Sequence, residues 1–330
     1  MFYSSEKEDG VMNTNKIKFI IKFIMRFIRE HAFLIISLSS LIISSRSYAR
    51  EINVVAPICS FGSIAKSILG QNAKVQILAD GRFDLHRVEP RPSFLAYLAK
   101  ADYVLPVGMR LDTWFISLID ASRNSRIYPG SPGFIVLYDK VKILEIPAFK
   151  PGEARAGDIH PEGNPHYWLS PDNALIIAET IAKTISAQIP ESEHIYQNYL
   201  KFKADIENLK TELKQIFSQF RGSEAIAYHN SWRYLEDFLG FEVKEFLEPA
   251  PGIPPTPSQI EKVINLIKQR NIKIIIYEPF QPTSPVESVS RRTGTKAVEL
   301  YQDCVPKLDY AKDYFSLLRY NTKKLIESLK

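Results

Sequence analysis

Three histidines stand in three separate loop-like stretches of the chain. They are His86 in Phe83-Asp84-Leu85-His86-Arg87-Val88-Glu89-Pro90, His166 in Gly163-Asn164-Pro165-His166-Tyr167-Trp168-Leu169-Ser170-Pro171, and His229 in Ala227-Tyr228-His229-Asn230-Ser231. The whole chain holds only six histidines. Imidazole is the commonest side-chain metal ligand. A single loop histidine is more often solvated or hydrogen-bonded than a ligand. Three in comparable positions, each beside the end of a strand or the start of a helix, occupy the loop class where binding residues concentrate. The pattern points to a divalent metal site that the fold gathers from distant segments.

The elements that must position these loops read as alternating strands and helices. Strands are expected over 51–57, 74–78, 103–107 and 141–146, with helices over 61–69, 94–101 and 114–121 between them. Such alternation argues for a parallel sheet with helices packed on it. Ser170 and Pro171 open a helix that runs to Ile189 and stops at Pro190. From Glu191 to Arg221 there is neither Gly nor Pro. Over that stretch Ile195, Tyr199, Phe202, Ile206, Leu209, Leu213, Ile216 and Phe220 form one apolar stripe at helical spacing. A helix of that length spans a domain, and its aromatic residues suit an internal connector better than a coiled-coil seam. After Gly222 the alternation restarts. Strands are expected over 225–228, 243–246, 273–277 and 297–300, with helices over 232–239, 258–270 (capped by Ser258), 286–294 and 310–329. Pro249 to Pro257, with five prolines in nine residues, is expected as an irregular loop. The expected fold class is α/β: two lobes, each a mainly parallel sheet flanked by helices, joined by one long rigid connecting helix. The lobes would cover 50–189 and 222–330, with the connector over 190–221.

The first 49 residues differ from the rest. Lys16, Lys18, Lys22, Arg26 and Arg29 precede an uncharged apolar run from Ala32 to Ile43, and Ser47-Tyr48-Ala49 follows. That is the pattern of a secretory signal peptide cleaved after Ala49; the alternative is an uncleaved amphipathic anchor. The run is shorter than the ~20 residues of a membrane span. Met12 is as suitable a start as Met1. No cysteine follows the run closely, so a periplasmic protein without a lipid anchor is expected. Beyond residue 49 the chain carries 35 Lys/Arg and 33 Asp/Glu. This near balance gives no basic face for nucleic acid. Composition is ordinary for a globular protein, 45% hydrophobic and 24% charged. The length of 330 residues can bury a core without a disulfide or metal. Cys59 and Cys304 are the only cysteines. A bridge is possible in an oxidising compartment, but spacing alone does not establish it, and two buried free thiols are the favoured expectation.

Taken together, these motifs resemble solute-binding protein family 9, the periplasmic zinc, manganese or iron receptors of ABC importers. The likeness covers the whole chain beyond the leader. Asp84-Leu85-His86-Arg87-Val88-Glu89-Pro90 matches the family's Asp-Pro-His-x-x-Glu-Pro stretch, with Leu85 in place of the proline. Asn164 to Pro171 matches Asn/Asp-Pro-His-x-Trp-Leu-x-Pro. His229 stands where the family has a His or Glu opening the second lobe. Leu300-Tyr301-Gln302-Asp303, ahead of a helix containing Tyr314 to Asn321, fits the late carboxylate motif. The resemblance implies a metal in the inter-lobe cleft, held by His86, His166, His229 and Asp303. It also implies a monomeric, non-enzymatic receptor that delivers a divalent ion to a membrane permease. Nitrogen-rich tetrahedral sites suit zinc, whereas manganese prefers more oxygen. Manganese-selecting members often carry a carboxylate where His229 stands, so zinc is expected here, with manganese or iron as the alternatives.

Two residues compete at the margin. Glu278, at Tyr277-Glu278-Pro279, is expected to support the ligands from behind rather than bind metal itself. His160, in Asp158-Ile159-His160-Pro161-Glu162, is expected at the surface, with auxiliary metal capture as its alternative; His194 is expected to be exposed. A secreted zinc hydrolase and a metal-locked adhesin are the other function classes. The hydrolase lacks a His-Glu-x-x-His helix or comparable cluster.

Overall fold

The computed structural model describes residues 14–44, 51–146, 160–190 and 192–330. The chain divides into two compact units, Met1–Arg50 and Glu51–Lys330. In the first, α1 (Thr14–Ser44) is one continuous helix. Among the described residues no helix is long and apolar enough to cross a membrane. The expected cleavage point after Ala49, its flanking Ser47 and Tyr48, and Met12 lie outside the described residues.

The second unit holds two parallel sheets. In the first sheet β1 (Ile52–Ala56) lies between β2 (Ala73–Ile77) and β3 (Tyr103–Val104). β1 pairs in parallel with both, from Ile52 opposite Ala73 to Ala56 opposite Ile77, and with Val54 opposite Tyr103. The second sheet runs in the order β5 (Glu242–Phe246), β4 (Glu224–Ala227), β6 (Ile274–Tyr277), β7 (Lys296–Glu299), again all parallel. Ile274, Ile275 and Ile276 are all buried, as expected for a strand covered on both faces. The expected strand over 141–146 does not form; that segment is irregular. Asn173 holds it instead, accepting from the Lys142 backbone N–H and donating to the Lys142 carbonyl. A parallel bridge between Val104 and Phe134 extends the first sheet at a point not anticipated.

The helices follow the crossovers: α2 (Cys59–Leu69), α3 (Pro92–Leu98), α4 (Thr113–Ala121) and α5 (Pro171–Ser186) in the first half. Ser170 caps α5 by accepting from the Asn173 backbone N–H, with Pro171 in the first turn. The connector α6 (Glu193–Phe217) is continuous over 25 residues, or ~38 Å at 1.5 Å per residue. Its buried stripe is Ile195, Tyr199, Phe202, Ile206, Leu209, Leu213 and Phe217. Ile216, assigned to that stripe from spacing, is 44% exposed; the neighbouring Phe217 takes the core position. Beyond it lie α7 (Arg233–Leu239), α8 (Pro257–Arg270), α9 (Thr283–Thr293) and α10 (Tyr314–Leu329). Thr256, not Ser258, caps α8. A capping box of Asp313 and Ser316 starts α10.

One apolar core runs through both halves. It joins Val54, Phe61 and Trp168 to the stripe of α6 and to Ala225, Ile274, Tyr314 and Leu318. Cys59 and Cys304 form a disulfide across 245 residues, correcting the expectation of two free thiols. Their Cα atoms stand 5.4 Å apart, within bridging range. The approach is close: Gly81 donates its N–H to the Cys304 carbonyl, and a Cβ at Gly81 would fall 2.0 Å from the Asp303 carbonyl oxygen.

Candidate metal centre

His86 and His166 are set by the same local device. In the turn after β2, the His86 backbone N–H donates to Asp84 Oδ1 at 3.0 Å, and His86 Nδ1 lies 3.1 Å from the same oxygen. Ahead of α5, the His166 backbone N–H donates to Asn164 Oδ1 at 3.0 Å, and Nδ1 lies 3.0 Å from it. An Asx side chain two residues back thus fixes both backbone and ring, as in an Asx turn. The Asn164 amide is oriented by its own bonds, since Nδ2 donates to Glu145 Oε2 and to the Asn230 carbonyl, both at 3.0 Å. His229 follows β4, and its Nδ1 lies 2.7 Å from Glu248 Oε2. In all three rings an oxygen acceptor holds the proton on Nδ1, leaving Nε2 as the lone pair available to a metal.

These rings converge. One ligand nitrogen from each of His86, His166 and His229 lies within 4.8 Å of the other two. Ring centroids are 5.4 Å apart for His86 and His166, 5.5 Å for His86 and His229, and 5.8 Å for His166 and His229. His166 is 1% exposed, and its Nε2 has no hydrogen-bond partner among the described residues. Burial, followed by the neighbouring rings of His86, His229 and His160, holds the His166 pKa well below the ordinary imidazole value, so the ring is neutral. For Asp84, burial pushes upward, but the hydrogen bond and charge of His86 outweigh it and hold the carboxyl below its usual range. Burial likewise works against charge on His229, yet Glu248 and then Glu278 raise its pKa overall.

The fourth expected ligand, Asp303, is engaged in hydrogen bonds of its own. Asp303 is fully buried, and its Oδ2 accepts from the Cys59 backbone N–H at 2.6 Å. Its Oδ1 accepts from the Ser60 backbone N–H at 2.8 Å and from Ser60 Oγ at 2.5 Å. The reason is electrostatic. α2 has no side-chain cap of its own, and its unpaired first-turn N–H groups attract a carboxylate. Asp303 supplies that cap from the other half of the chain and is not among the grouped metal-ligand atoms. Glu278 is also outside the group. It is fully buried, with neither oxygen hydrogen-bonded among the described residues, and burial pushes its pKa up to about 7.

Two further corrections concern histidines. His160 is not a plain surface residue: it is half-buried, with Nε2 3.2 Å from His86 Nε2. His194 is half-buried rather than exposed. Glu248 was missed altogether; its only sequence cue is its position just after a strand in the second half. The cleft has walls on both sides of the histidines. One is lined by Asp84, His86, Tyr228, His229 and Glu248, the other by Glu145, His160, Asn164, His166 and His229. The proline-rich loop contributes Gly252 and Pro254 to the first and Pro251 to the second.

Known proteins resemble this chain. The family model for the zinc-uptake complex component A, periplasmic, matches residues 54–328. The manganese ABC transporter substrate-binding lipoprotein PsaA of Streptococcus pneumoniae is 24% identical over 298 residues, covering 87% of this chain and 91% of its own length. The metal ABC transporter substrate-binding lipoprotein FimA of Streptococcus parasanguinis is 23% identical over the same span. A crystal structure of ZnuA superposes with a TM-score of 0.71 at 22% identity, covering 84% of this chain and 99% of that one. A manganese-bound periplasmic metal binding protein from Candidatus Liberibacter asiaticus gives 0.67 at 21% identity, over 84% and 99% of the two chains. A model match over most of the chain, the doubly parallel fold and the gathered histidines agree, and the chain belongs to the ZnuA family of ABC importer metal-binding receptors, within solute-binding protein family 9.

Proposed function

We propose that this protein is an extracytoplasmic, non-enzymatic receptor that captures one zinc ion in its cleft and delivers it to an ABC importer permease. The observation that carries the reading is the convergence of three imidazoles whose Nδ1 atoms are all held by oxygen acceptors. Three imidazole nitrogen donors favour zinc over the oxygen-preferring manganese. Manganese is the second reading, supported by relatives named as manganese receptors. A periplasmic location follows from the basic, apolar, small-residue pattern of residues 1–49, read as a cleaved signal peptide. The pairing of Cys59 with Cys304 supports a form without a lipid anchor.

The test is a competition titration of metal-stripped protein against a chromogenic chelator. One equivalent of zinc should bind, more tightly than manganese. His166→Ala should weaken zinc binding by on the order of 100-fold or more, beyond the 10–100-fold typical of residues that only support a ligand. Absence of tight uptake by the unaltered protein would overturn the receptor reading, and tighter manganese than zinc binding would overturn the choice of metal.

A further inference from the structure

We infer that His160 is a metal ligand, so that the ion is held by four imidazole nitrogens; this rests on the receptor reading above. His160 Nδ1 lies 2.7 Å from the Met109 carbonyl oxygen. A carbonyl only accepts, so Nδ1 carries the proton and Nε2 presents a lone pair. That Nε2 lies 3.2 Å from His86 Nε2. His86 Nδ1 is likewise directed at an acceptor, the Asp84 carboxylate. The two Nε2 atoms therefore face each other at a separation that a shared cation would set. Zinc fits the spacing. With Zn–N bonds of 2.0–2.1 Å in a tetrahedral site, adjacent ligand nitrogens stand about 3.3 Å apart.

His160 also faces the rest of the group. Its ring centroid is 5.2 Å from that of His86, and it shares a cleft wall with His166 and His229. Its position is built rather than incidental. The loop that offers the Met109 carbonyl passes through three successive left-handed residues, Gly108 at φ 76°, Met109 at φ 52° and Arg110 at φ 61°. Two of these are not glycine, a conformation that persists only where surroundings enforce it. Asp112 enforces it here, its carboxylate accepting from the backbone N–H groups of Val107 and Gly108. Asp303 is occupied at α2. His160, like Glu278, is not one of the three grouped residues, but its Nε2 already stands 3.2 Å from that of His86, so a small movement of its ring toward the group fills the fourth corner.

X-ray absorption at the zinc edge of the loaded protein, with zinc competition titrations of the unaltered chain, His160→Ala and His160→Gln, decides this. Four imidazoles are expected in the unaltered protein and three plus an oxygen donor in both variants, with zinc affinity reduced by on the order of 100-fold or more. Circular dichroism of the metal-free variants checks that they fold; if His160→Ala does not, His160→Gln carries the measurement. Three imidazoles with a carboxylate in the unaltered protein, or a change in affinity under tenfold in a folded variant, would overturn the inference and leave the receptor reading standing. An unaltered protein that takes up no zinc would overturn both.

Discussion

At the scale of single residues, the candidate ligands are legible where their supports are local. Asp84 and Asn164 each stand two residues before a histidine, and that short spacing lets one oxygen accept from both backbone and ring. His229 has no such neighbour. Its support, Glu248, comes from 19 residues away across paired strands, and no spacing rule reveals it. The same limit explains Asp303. Its place in the chain predicts proximity to the cleft, but only the fold shows that the bare N-terminus of α2 holds its carboxylate. His160 fails in the opposite direction, since nothing local in the sequence announces the Met109 carbonyl that orients it. A prediction follows for Glu248. Replacing it by glutamine keeps size and an acceptor but removes the charge that sustains His229. Glu248→Gln should weaken zinc binding by about 10–100-fold while leaving one site per chain. Isothermal titration reads both numbers, and an unchanged affinity would show that the Glu248 contact does not tune the ligand.

At the scale of elements, strand and helix order was readable almost throughout, because buried strands such as β6 and capped helices such as α5 carry their signals locally. The exceptions have tertiary causes. The 141–146 segment has β-branched residues, but Asn173 takes the Lys142 backbone groups, the Tyr234 hydroxyl takes the Leu144 N–H, and among the described residues no strand pairs with it. The disulfide could not be inferred from two cysteines 245 residues apart; it requires that α2 meet the loop after β7. At that junction the bridge, the Asp303 cap, the Gly81 contact and the bond from the Tyr314 N–H to Ser63 Oγ all tie the first sheet's helices to the second half. A cross-link closing so long a loop should contribute ~2–5 kcal/mol to stability. The double variant Cys59→Ala with Cys304→Ala should therefore be less stable by that amount and unfold at a lower denaturant concentration. It should still bind one zinc, since neither sulfur belongs to the histidine group. Coincident unfolding curves would show that the other contacts suffice at this junction.

At the scale of the whole molecule, one continuous core and a connecting helix buried along one face argue against wide opening of the cleft. α6 is packed along its whole apolar stripe, and further bonds cross between the halves. Trp168 Nε1 donates to the Gln302 carbonyl at 2.7 Å, and the Tyr314 hydroxyl donates to the Trp168 carbonyl at 2.7 Å. Metal capture is then a matter of drawing preplaced imidazoles together rather than closing two free domains. The length and single stripe of α6 made this architecture visible in the sequence. The depth of the core behind the site was not, since it depends on which side chains of the two sheets meet. The central claim is that one ion sits where His86, His166 and His229 converge. Anomalous scattering at the zinc edge from crystals of the zinc-loaded protein tests it most directly. The account predicts a single strong peak bonded to Nε2 of all three histidines; a peak that lacks any one of them, or that lies against Asp303 or Glu278 instead, would contradict it.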